Sequence, residues 1–354
     1  MQFRIKLSAS IAVLPPASFA LVMATGIVSI ACHLLGFRFL AVPLLWLNVV
    51  FYAGLWGLMG ARVALFPRRL GDDLNDHSRG VGFFTAVAGT CVLGSQCVVI
   101  AQAYEWAAGL LGVGIFLWAV LIYTVFTAFT VKTAKPTLEK GLNGGWLVAV
   151  VATQSLSVLS GRVFPYFAGQ HQEWVLFFSL STFLLGGMFY LLIMALIFYR
   201  FMFFSLPPEE LHPSYWINMG AAAISTLAGA TLVLNGSDSR LLLWLQPFIL
   251  GLTLFFWVFA TWWIPLLSLL SAWRYLVRRV KLSYSPQYWS VVFPLGMYTT
   301  CTLQLARAAH LDFLLAIPRY FIYAALLAWV LTFAGLLKNL AGLLRASDPH
   351  RSEA

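Results

Sequence analysis

Three features of this chain have the residue types and spacing that site chemistry asks for. The first, Gly71-Asp72-Asp73-Leu-Asn-Asp76, is an aspartate cluster of the DDxxD kind, which in a membrane prenyltransferase-like enzyme holds magnesium against a diphosphate. Such an enzyme needs a second aspartate set on the same membrane face, and the remaining candidates, Asp238 and Asp312, fall on the opposite one. With Arg68, Arg69 and Arg79 beside it, the cluster reads as a solvated, self-neutralising loop. The second feature is the pair His33 and His310, which can ligate a haem or a metal, although interfacial hydrogen bonding accounts for two lone histidines. The third makes no bond at all: in a layer shared by several helices, the phenyl ring of Phe293 stands against the missing side chain of Gly220, as a plug against its clearance. No catalytic residue, cofactor or metal ligand is expected, and Cys32, Cys91, Cys97 and Cys301 lack metal-ligand spacing.

The layer comes from a repeat. Pro16/Phe19/Met23/Gly26/Ser29, Pro213/Trp216/Gly220/Ala223/Thr226 and Pro286/Trp289/Phe293/Gly296/Thr299 share one spacing. Proline suits a first helical turn, and steps of three or four stay on one face, so each stretch predicts a helix start presenting a similar surface. Weaker copies begin at Gly80 and Asn143, and the five starts lie 64, 63, 70 and 73 residues apart, room for one helical hairpin each. The seventh-residue positions then form one layer: Met23, Val87, Val150, Gly220 and Phe293.

Composition places these helices in a bilayer. Apolar residues make up 61% and charged residues 10% of the chain, and mean hydropathy is +0.86, outside the soluble range. Ten apolar stretches of spanning length are expected at 12–35, 40–66, 81–103, 106–131, 145–161, 174–204, 214–235, 241–272, 288–309 and 316–340. The domain reading is a cytoplasmic N-terminus 1–11, with the first span uncleaved, a membrane domain 12–340 and a cytoplasmic tail 341–354. The odd spans are rich in small residues and are expected inside, whereas the even ones are expected to face lipid, with Trp46, Trp56, Trp106, Trp118 and Trp174 on that surface or in interfacial belts. Seventeen Lys and Arg fall on the side of the termini and five (Arg38, Arg162, Arg240, Arg307, Arg319) on the other, which puts both termini in the cytoplasm. The net charge of +10 is thereby assigned to loops facing an anionic leaflet, with no nucleic-acid partner.

The expected architecture is all-α: ten transmembrane helices as five hairpin repeats in a pseudo-five-fold arrangement around a central pore. No Asp or Glu lies within a span; ion-coupled carriers generally need such groups at depth, so a passive or weakly gated anion path is favoured over a proton-coupled dicarboxylate or sulfite carrier. Hydroxyls, freed backbone groups and helix N-termini are left to line it. Gln154 either meets the permeating ion or bonds between helices. Arg307 and Arg319, with Asp312, either attract anions to an outer vestibule or pair among themselves.

The stretch Leu14-Pro-Pro-Ala-Ser-Phe19-Ala-Leu-Val-Met23-Ala-Thr25-Gly26 resembles the first span of the tellurite-resistance/dicarboxylate transporter family, which includes fungal malate permeases, sulfite efflux pumps and plant guard-cell slow anion channels. His212-Pro213-Ser-Tyr-Trp216-Ile-Asn-Met-Gly220 is similar to its seventh span, and Trp289-Ser-Val-Val-Phe293-Pro294-Leu-Gly296 to its ninth. The resemblance implies a ten-helix anion channel or transporter of the plasma (inner) membrane. It also implies a homotrimer with one uncharged pore per subunit and Phe293 as the gate. Together with the repeat, the expected lining of the passage is Phe19, Met23, Thr25, Gly26, Val87, Val150, Gly220, Pro294 and Gly296. Malate and other C4-dicarboxylates, sulfite, tellurite and inorganic anions all fit such a passage.

Overall fold

The computed structural model describes residues 10–345, so Arg4, Lys6, Arg351, most of the expected N-terminal segment and the end of the tail lie outside the described residues. All regular structure within them is helical. Long apolar segments must satisfy every backbone N–H and C=O internally when water is absent, and the α-helix does so within one segment. Ten helices are long: α1 (Ala20–Leu34), α2 (Arg38–Leu65), α4 (Phe84–Ala101), α5 (Tyr104–Val131), α7 (Val148–Val163), α8 (Gln170–Phe203), α9 (Ile217–Leu234), α10 (Arg240–Ala272), α11 (Trp289–Ala308) and α12 (Ala316–Arg345). Two short ones, α3 (Pro67–Leu74) and α6 (Leu138–Gly141), sit in connections.

Nine of the ten, counted with their initial turns, are long and apolar enough to cross a membrane. The exception is α11, whose Ser290, Thr299, Thr300, Thr302, Gln304 and Arg307 dilute its apolar content. It is largely buried by its neighbours and needs no lipid-compatible surface. Two boundaries depart from expectation: α7 runs on through Arg162 to Val163, and α12 continues to Arg345.

The helices sort into two layers. α1 packs against α4, α4 against α7, α7 against α9, α9 against α11, and α11 back against α1. Outside them, α2, α5, α8, α10 and α12 each pack on the preceding inner helix and lean on the next one round. Between 78 and 94% of the most apolar stretch is buried in α1, α4, α7 and α9, against 22% in four of the outer helices. The fifth, α8, is 50% buried because Ser179, Thr182, Gly186 and Gly187 let it settle closely on the bundle.

A repeated device fastens the layers. Tyr52 on α2 shares a 2.9 Å hydrogen bond with Thr90 on α4, and Trp118 on α5 donates to Thr153 on α7 at 2.9 Å. Tyr190 on α8 donates to the Asn218 carbonyl of α9, Trp257 on α10 to Thr302 on α11 at 3.0 Å, and Trp329 on α12 to Thr25 on α1 at 3.1 Å. Each outer helix thus offers one aromatic donor to the next inner helix, where a low-dielectric setting strengthens the bond. Trp118 is therefore a fastener rather than a purely lipid-facing residue, and Trp56 packs on Phe19.

Candidate functional site

Every inner helix begins with a tight 3-10 turn: Pro16–Phe19, Gly80–Phe83, Gly144–Leu147, Pro213–Trp216 and Pro286–Tyr288. Proline opens three of them, where its missing N–H costs nothing and its fixed φ is already helical. At the third start, which lacks a proline, Asn143 caps the turn, its side chain accepting from the Gly145 N–H at 2.7 Å. The five turns converge on a cavity of about 420 Å³. One residue from each helix lines its upper tier (Ala17, Gly82, Gly145, Ser214, Gln287) and another its lower tier (Ala20, Thr85, Val148, Ile217, Ser290), with Met23 and Phe293 beneath. Arg79 and His212 supply its titratable groups.

Deeper between the same five helices lies a much smaller space of about 10 Å³, again lined by all of them through Ile27, Val92, Ser155, Ile224 and Met297. Ile30, Ser95, Val158, Leu227 and Arg162 line it farther along. The tiers share one register counted from residues 16, 81, 144, 213 and 286. Thr25, Thr90 and Thr153, the three fastened threonines of the first repeats, all stand nine positions on from those origins and agree with it.

In that register the layer between the two sets of lining residues is Met23, Ala88, Val151, Gly220 and Phe293. Val87 and Val150, expected in this layer, are buried one residue off it, because their copies were aligned on Gly80 and Asn143 instead of Val81 and Gly144. Phe293 is 2% exposed, and a Cβ built at Gly220 stands 3.5 Å from its Cδ1 and 2.8 Å from Pro294 Cγ. The missing side chain is thus the seat of the Phe293-Pro294 pair. Pro294 also leaves the Ser290 carbonyl, at the cavity wall, without its usual i+4 donor.

Other expected lining residues point elsewhere. Phe19 packs outward against Tyr52 and Trp56, and Thr25 is turned toward Trp329. Gly26 admits α2 and α4, its built Cβ standing 2.5 Å from Val92 and 2.9 Å from Asn48, and Gly296 admits Ile27 of α1 at 2.9 Å. Gln154 bonds between helices, donating to the Phe183 carbonyl at 3.1 Å. Most inner-helix hydroxyls, including Thr90, Thr153, Ser155, Ser225, Thr226, Thr299 and Thr300, donate to carbonyls of their own helix. Their protons are therefore spent locally, as buried hydroxyls in helices commonly do. Two basic residues border these spaces: Arg79 lines the cavity, and Arg162, expected on the outer side, lines the smaller space.

Around the cavity mouth the charges are organised. Arg62, 1% exposed on α2, meets Asp73 on α3 at 2.5 Å, and Arg79 reaches the other oxygen of Asp73 at 2.8 Å. Asp76 accepts from Ser78 and Arg79; burial works against its ionised form, but these hydrogen bonds and Lys132 hold its carboxyl below the ordinary value. The aspartates of the cluster thus serve different partners rather than one ion. Burial, then Arg274 and Arg200, hold His212 below the ordinary histidine value against the opposing pull of Glu210. Arg200 itself pairs with Glu210 at 2.8 Å and donates to Tyr215. Among the described residues, no three His, Cys, Asp or Glu come together to hold a metal. Arg307, Asp312 and Arg319 border a separate recess of about 340 Å³ between α1, α11 and α12, off the axis.

Comparison with known proteins identifies relatives of this chain. The chain is 38% identical over 158 residues to an uncharacterized membrane protein of Mycobacterium tuberculosis, covering 45% of this chain and 80% of the relative. It is 26% identical over 293 residues to an uncharacterized transporter of Methanocaldococcus jannaschii, covering 80% and 81% of the two chains, and 23% identical over 295 residues to a second one, covering 80% and 82%. Residues 13–337 match the family model described as voltage-dependent anion channel, so this multi-pass membrane protein belongs to that family, the tellurite-resistance/dicarboxylate transporter group its sequence resembles.

Proposed function

We propose that the protein is a gated conduit for small anions, built as five helical hairpins in pseudo-five-fold order around a central pore that Phe293 closes. The observation that carries this reading is a pair of spaces, each lined in one register by all five inner helices, with the position of Phe293 falling between the two sets of lining residues. The wide space gathers five helix N-termini, whose unbonded N–H groups and positive dipole ends favour anions. By the distribution of basic residues this end faces the cytoplasm, in the plasma (inner) membrane with both termini inside. Lipid and two further copies in a trimer are the proposed surroundings of the outer helices. Inorganic anions, sulfite, tellurite and C4-dicarboxylates are the substrate classes to compare.

The test is Phe293→Ala in liposomes. Removing the phenyl joins the two spaces, and anion flux rises at least tenfold over the native protein under a fixed potential. A folded F293A protein with native flux overturns the gate.

A further inference from the structure

The hydroxyls of the inner helices offer few free protons to an anion, which directs attention to the group that does. Arg162 stands in the last turn of α7, eighteen positions from its origin against seven for Phe293, so the two Cα levels are separated by roughly 16 Å along the axis at 1.5 Å per residue. The side chain lines the small space shared by the five inner helices. Both terminal guanidinium nitrogens are buried, and neither has a hydrogen-bond partner. Among the described residues no carboxylate comes within 4 Å of it, the three ion pairs all lying elsewhere.

Three ordinary explanations of such an arginine fail here. A snorkelling side chain carries its charged head to water, whereas Arg162, partly exposed as a residue, keeps both terminal nitrogens buried. A structural ion pair needs a carboxylate, and none is in reach. A C-cap donates to the last carbonyls of its helix; instead the Gly161 carbonyl is taken by Asn235 at 2.6 Å. A buried, unpaired guanidinium is costly, and such charges persist where they are compensated. An anion from outside the protein would supply that compensation.

We propose that Arg162 forms an anion-binding site on the ring axis, taking one compact anion, a halide or a small oxyanion, at its two unpartnered nitrogens. Ser95 borders the same void and Ser155 does not compete, since its hydroxyl donates to Ala152 at 2.7 Å. The space is about that of one water, so a compact anion enters with a small adjustment of Ile27, Ile224 and Met297, whereas a C4-dicarboxylate requires the helices to part. The site acts as the selectivity element in series with Phe293. That role rests on the conduit reading, although the binding itself does not.

Two measurements separate the parts. In detergent at constant ionic strength, chloride or nitrate replacing gluconate raises the melting temperature of the wild-type protein saturably. Arg162→Gln raises the half-saturating concentration at least tenfold, and Arg162→Lys retains most of the response. In liposomes, adding R162Q to F293A lowers the anion-to-cation permeability ratio at least tenfold. Absence of an anion-dependent shift in the wild type overturns the site, even should R162Q fail to fold. So does a folded R162Q with the wild-type half-saturation. Arg162-dependent binding together with no flux through F293A supports the site and refutes the conduit.

Discussion

The buried contact between Arg62 and Asp73 gives the sharpest test of how this fold manages charge. Arg62 is 1% exposed, and its other two nitrogens lack partners, so Asp73 alone compensates it. At about 4 Å between charge centres and an effective dielectric near 20, the attraction is about 4 kcal/mol, and removing one partner of such a pair costs about 3–5 kcal/mol. The Arg79–Asp73 pair is different, because the Arg79 side chain is 49% exposed and its contribution is about 0–1 kcal/mol. Asp73→Asn should therefore destabilise the detergent-purified protein by about 3–5 kcal/mol, and Arg79→Gln by about 1 kcal/mol or less. Replacing both partners, Asp73→Asn with Arg62→Met, should recover most of the loss, since an uncharged pair leaves no buried orphan charge. Equilibrium unfolding of the four proteins measures each term. A D73N protein as stable as the wild type, or a double variant no better than D73N alone, refutes the argument. The same variant bears on the prenyltransferase reading, which predicts lost magnesium-dependent turnover rather than lost stability.

Two further outcomes follow from the cavity. His212 is held below its ordinary value of 6.5; as pH falls below about 6.5 the unfolded chain takes the proton first, so stability is lost on the acid side toward the lower folded value, and His212→Gln should flatten that limb of a pH–melting profile. Gly220→Ala places a Cβ 2.8 Å from Pro294 Cγ, an overpacking worth about 1–3 kcal/mol that pushes Phe293 off its seat; resting anion flux should rise in liposomes, and unchanged flux at reduced stability argues that the seal lies elsewhere.

The inside and outside helices were legible because small residues and large apolar ones alternate span by span, and burial follows that alternation. Three of the five starts were legible because proline in a first turn has a mechanical reason to be there. The Gly80 and Asn143 copies lack that landmark, and each slipped by one residue, since Asn143 caps its helix from outside rather than opening it. Phe293 and Gly220 stood out through their extreme difference in size. Arg162 did not, because a basic residue near a span boundary reads as an outer-face anchor; counting positions 11, 14 and 18 from Gly144 puts it on the same stripe as Ser155 and Val158. The hydroxyls misled for another reason: a threonine that donates to its own helix and one that faces a passage have the same letter.

The closure of α11 on α1 has a consequence for biogenesis. Thr25 waits for Trp329 across 304 residues, which at ribosomal speeds of about 5–20 residues per second is roughly 15–60 s. During that interval the nascent chain is an open trough with its first helix bordering lipid on the flank that α11 later covers. Assembly therefore ends with a single late seam, and a protein stopped short of its final hairpin is not a narrower version of the whole but a groove that never shuts.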